Sequence, residues 1–147
     1  MTKLTKEQIK AETHRVSEEY RLLREQYIER ARATIQKIFN NIFEEFPTLE
    51  KFSWTQYTQY FNDGDTCYFY THWDYDLETQ FEGDDVARPE SGYDKEVGQH
   101  HVDAGKYIIE FLDGLPSEFY QEIFGDHVKV VISRDKDPIT EGYTDHD

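Results

Sequence analysis

The sequence predicts an α+β domain: a small antiparallel sheet built on an aromatic hairpin, packed by a long N-terminal helix and a second helix. Three observations carry this. Residues 51–76, KFSWTQYTQYFNDGDTCYFYTHWDYD, form two aromatic-rich runs on either side of Asp63-Gly64, a strong hairpin signal. Residues 5–46 contain no Gly or Pro and space their apolar side chains in helical steps. Val128, Val130 and Ile132 alternate with their neighbours over 127–133, as in a half-buried strand. A chain of 147 residues without an internal repeat fits a single domain over 1–147.

The helix opens at Thr5, where Gln8 completes a capping-box pattern, and Pro47 ends it. Its stripe runs through Ile9, Val16, Tyr20, Leu23, Tyr27, Ala31, Ile35, Ile38, Ile42 and Phe46. About 40 helical residues reach about 60 Å, more than a small domain is wide. Either the helix breaks once near residue 30, between Glu29 and Ala33, or its first half projects and packs on something else. The first half, 5–28, is highly charged with a narrow stripe, as in a coiled coil. The second, Ile35–Phe46, has a wide apolar face suited to lying across a sheet.

A two-residue turn at Asp63-Gly64 sets the hairpin register: Tyr60 opposite Cys67, Thr58 opposite Phe69, Gln56 opposite Thr71 and Trp54 opposite Trp73. One face then carries Phe52, Trp54, Tyr60, Cys67, Phe69, Trp73 and Tyr75, and the other carries Tyr57, Phe61, Tyr68 and Tyr70. Residues 77–94, acidic and holding Gly83, Pro89 and Gly92, are expected to form a long loop. Helices follow over 94–124: a first from Asp94 to Leu112 with Val97, His101, Ala104 and Ile108 inward, and a short one opened by Pro116-Ser117-Glu118. Strands and a polar tail occupy 127–143 and beyond.

The net charge of −15 is uneven: residues 1–46 balance at +1 and the remainder at −16. That field repels nucleic acid phosphates and draws basic proteins or cations, so direct nucleic-acid binding is not expected. It also keeps an aromatic surface soluble. Cys67 is the single cysteine and no apolar leader or membrane-length segment is evident, so a cytoplasmic protein without membrane attachment is expected.

Tyr57, Phe61, Tyr68 and Tyr70, if exposed, have the composition of a protein-recognition surface, and Glu82, Asp84 and Asp85 would steer a basic partner toward it. The competing reading buries the four rings against the third strand or second helix. His72, Asp74 and Asp76 alternate along the expected second strand, so they share a face where a divalent metal could sit. Asn62-Asp63-Gly64-Asp65 is explained by turn chemistry and lacks the later ligands of a calcium loop. His100 and His101 are adjacent on a helix and point about 100° apart, which argues against joint chelation. His101 belongs to the apolar stripe, and His100 is paired in this reading with Asp103 or Asp94. Cys67 fits a buried structural thiol.

The string Trp54-Thr55-Gln56-Tyr57-Thr58, followed by Tyr60-Phe61-Asn62-Asp63-Gly64-Asp65, resembles a family of small uncharacterised phage and bacterial proteins over residues 47–76. That family reads Thr-Pro-Tyr where this chain has Thr58-Gln59-Tyr60. The resemblance implies a phage-associated origin and no activity that can be assigned to residues. In that case the chain works in the host cytoplasm. The leading expectation is a non-enzymatic acidic module that needs no cofactor and binds a basic surface or host protein, as an inhibitor or nucleic-acid mimic. The alternatives are a metal-dependent enzyme or metal-binding protein using His72, Asp74 and Asp76, and a homo-oligomer formed through residues 5–28.

Overall fold

The computed structural model describes residues 3–60, 64, 66–89 and 97–144, the side chain of Asp74 excepted. The first helix, α1, spans Lys6–Glu45 without interruption. Its start is the expected capping box: Gln8 N donates to Thr5 Oγ1 at 3.1 Å, and Thr5 N donates to Gln8 Oε1 at 2.8 Å. Of the two alternatives, a break near residue 30 or a continuous helix with a projecting first half, the helix is continuous. With no Gly or Pro inside, and with Arg–Glu pairs three or four apart along the exposed half, nothing locally disrupts the ladder.

The sheet is built around β1 (Leu49–Thr58), and every pairing is antiparallel. One edge of β1 takes β4 (Val128–Ser133), which pairs in turn with β5 (Ile139–Gly142). The other edge is shared by β2 (Phe69–Thr71) at the C-terminal end of β1 and β3 (Glu78–Phe81) at its N-terminal end. The β1–β2 register, Gln56 opposite Thr71 and Thr58 opposite Phe69, is the one dictated by a turn at Asp63-Gly64. Gly64 has φ +88°, a conformation that favours glycine. Phe61, Asn62, Asp63 and Asp65 lie outside the described residues.

The second strand does not run on to Asp76. After Thr71 the chain makes one helical turn, α2 (Trp73–Asp76), and then returns to the same edge of β1 as β3. Trp73 still meets Trp54, with ring centroids 4.6 Å apart, but from the helical turn. The region expected to be a loop from residue 77 therefore begins with a strand. Leu77, Thr79 and Phe81 are buried, a period-two pattern masked in the sequence by the charged and polar residues between them.

Helices α3 (Gln99–Leu112) and α4 (Ser117–Phe124) join the C-terminal half of α1 against one sheet face. Phe39 and Ile42 from α1, Phe52 and Trp54 from β1, Val130 and Ile132 from β4, and Ile108 and Leu112 from α3 form that core. Its buried amide is satisfied: Trp54 Nε1 donates to Gln56 Oε1 at 2.9 Å, and Gln56 Nε2 donates to the carbonyls of Tyr120 and Gly125 at 2.9 and 2.7 Å. Tyr60 and Tyr75, placed by the hairpin register on the same face as Trp54, are exposed, because the ladder ends before one and the helical turn redirects the other.

The root of α1 is fixed by Arg134. Its guanidinium donates to the carbonyls of Phe43 at 3.1 Å, Phe46 at 2.8 Å and Leu49 at 2.8 Å, and lies 4.9 Å above the Phe43 ring. It thus supplies a donor to the Phe43 carbonyl, which Pro47 cannot serve, and a second one to the Phe46 carbonyl, which also accepts from Leu49 N at 3.0 Å.

Candidate functional site

Two features stand out. The first is the N-terminal half of α1. Buried residues on this helix begin only at Ala31, whereas Val16 and Tyr20 are 61% and 67% exposed, and Ile9, Leu23 and Tyr27 also face outward. Their spacing, with Thr13, follows steps of three and four: 9, 13, 16, 20, 23, 27. That is the seam of a helix that packs on another helix. Ion pairs flank it, Arg21 with Glu18 at 2.8 Å and with Glu25 at 2.9 Å. Where the stripe meets the body, Tyr20, Leu23, Tyr27 and Ile28 line a groove of about 260 Å³ opposite Phe119 of α4, closed by the Arg24–Glu122 pair. Over residues 6–30, six Lys/Arg balance six Asp/Glu, in contrast to the −16 carried by residues 47–147.

The second feature joins the turn after β3 to the first turn of α3. Asp84, His100 and His101 each offer a ligating atom, all within 4.8 Å of one another. His100 Nε2 hydrogen-bonds Asp84 Oδ2, and His101 Nε2 lies 3.4 Å from the same oxygen. His101 is 4% exposed, and its Nδ1 is 2.6 Å from Thr79 Oγ1 on β3. Phe81 meets both imidazoles edge-on, at 4.6 and 5.0 Å. The hydrogen bond from His100 holds the Asp84 carboxyl below the usual carboxylate range. Burial, with His100 beside it, pushes the His101 imidazole down, against the opposing pull of Asp84. One turn further along α3, Gly105 lets Pro89 approach the helix: a Cβ there would come within 2.7 Å of it.

This cluster corrects two expectations. Adjacent helical histidines do converge here, because a carboxylate from another element reaches between them and their rings lie only 4.5 Å apart. His100 pairs with Asp84 rather than Asp103, which accepts instead from Gln99 at 2.9 Å; Asp94 lies outside the described residues. The other candidate metal face loses its premise, since residues 73–76 are helical rather than strand. His72 stacks on Tyr57 at 4.0 Å, Asp76 accepts from Thr55 Oγ1 at 2.5 Å, and the side chain of Asp74 is outside the description.

The proposed aromatic face is divided. Tyr57 is buried, sandwiched by His72 and by Tyr143 at 5.2 Å, while Tyr68 and Tyr70 are exposed. Glu82, Asp84 and Asp85 are exposed as expected. However, Glu82 N bonds the carbonyl of Thr48 at the start of β1, whereas Tyr70 pairs with Tyr57 near its end. Acidic turn and tyrosines therefore sit at opposite ends of a ten-residue strand and do not form one patch. Cys67 is half-buried. Among the described residues, no helix is long and apolar enough to cross a membrane. No family model, curated protein or solved structure matches the chain.

Proposed function

We propose that the chain is a non-enzymatic protein-interaction module that pairs with a second copy of itself through the projecting half of α1. The observation that supports this is the exposed stripe Ile9, Val16, Tyr20, Leu23 and Tyr27 on a continuous, capped helix. A helix apolar on one side and uncovered there is completed by another helix. The charge balance favours a second copy as that helix. Residues 6–30 are neutral and carry both signs, so two stalks approach without repulsion, whereas a strongly charged partner gains nothing from them. The acidic bodies remain free on the outside, available to basic proteins. This reading unites two of the expectations raised by the sequence, oligomerisation through residues 5–28 and protein binding by an acidic surface.

The test is sedimentation equilibrium of the full chain over a range of concentrations. A mass of twice the 17.6 kDa protomer is expected. Val16→Asn combined with Leu23→Asn should weaken pairing by roughly 100-fold, equivalent to about 2.7 kcal/mol. A chain that stays monomeric at every concentration, or a double variant that pairs as well as the parent, overturns the proposal.

A further inference from the structure

We infer that Asp84, His100 and His101 form a binding site for a divalent transition metal of the zinc type. The inference is independent of self-association. Three observations converge on it. The donor set, two imidazole nitrogens and one carboxylate oxygen, is that of three-ligand zinc sites and ill-suited to calcium or magnesium, which prefer oxygen alone. The separation of His101 Nε2 from Asp84 Oδ2, 3.4 Å, equals the spacing of two ligands that are each about 2.1 Å from one tetrahedral ion. The nearer His100–Asp84 contact opens as the ion enters. Finally, the buried member is already oriented. Thr79 Oγ1 lies 2.6 Å from Nδ1 of His101, so with the proton on Nδ1 the hydroxyl accepts it and the Nε2 lone pair is left toward Asp84, the arrangement by which outer hydrogen bonds set metal-bound imidazoles. His100 and Asp84 are exposed, so water completes the fourth position. The ion ties the β3 turn to α3 across 16 residues, and it reduces the negative charge of a chain at −15.

The test uses untagged full-length protein stripped with chelator, titrated with Co²⁺ and then displaced with Zn²⁺. Visible d–d bands of tetrahedral strength are expected, bleached by Zn²⁺. Saturating Zn²⁺ should raise the melting temperature by about 5 °C. Asp84→Asn and His100→Gln are both at exposed positions and should retain the fold, and each should abolish the bands. Thr79→Val should weaken affinity by about 10- to 100-fold without removing a ligand. His14→Gln, on the exposed part of α1, should change nothing. Absence of the bands in the parent chain, bands that persist in both ligand variants, or their loss in His14→Gln would each overturn the assignment.

Discussion

The two halves of α1 form one uninterrupted helix with one apolar stripe, yet they are held by different forces. From Ala31 onward the stripe is buried against the sheet and Arg134 seals the end. Before it, the helix depends on the Thr5–Gln8 box, on flanking ion pairs, on the Arg24–Glu122 contact with α4, and on the packed half itself. A helix already nucleated by packing extends without meeting the nucleation cost again. Helical pattern is therefore common to both halves, whereas burial is set by how far the sheet reaches beneath them.

Substitutions separate the two halves. The largest effect is expected at the root: Phe39→Ala or Ile42→Ala should destabilise the chain by about 3–4 kcal/mol in denaturant unfolding. Equal sensitivity at Leu23 in a monomeric background would erase the distinction. Arg134→Met should cost about 2–3 kcal/mol, because it strands the carbonyl of Phe43 and removes a donor from those of Phe46 and Leu49. Ser17→Pro should unravel the helix N-terminal to it, seen as lost amide protection there, while leaving the body's unfolding midpoint within about 0.5 kcal/mol of the parent. A drop of several kcal/mol would place residues 6–20 in the core unit. Thr5→Ala should cost about 1 kcal/mol, confined to faster amide exchange in the first turn.

The sequence made the framework legible where local chemistry is strong. The capping box, the uninterrupted helical run and the Asp63-Gly64 turn each predict an element, and the β1–β2 register follows from the last. What escaped depends on longer-range geometry. Nothing in Trp73–Asp76 alone favours a helical turn over a strand; the turn arises as the chain swaps β2 for β3 along one edge of β1. Tyr57 is covered by Tyr143, a residue 86 positions later in the chain. The histidine–aspartate cluster was invisible for the same reason. Its spacing, 84 with 100 and 101, matches no local chelating motif, and the fold alone brings β3 to the start of α3.

Arg134 at the root of α1 has a mechanical consequence. Residues 6–30 span about 36 Å of helix, tied to the body through Arg24 and Glu122 of α4 and projecting ahead of that pair. A stiff rod of that length magnifies any change of angle where it is held. A tilt of about 10° at Phe43, about 56 Å along the helix from Lys6, would carry the tip through about 10 Å, nearly two helical pitches. The guanidinium that bridges the carbonyls of Phe43 and Phe46 to Leu49 on β1 thus clamps the rod at its root, and the Arg24–Glu122 pair is a second clamp further along it.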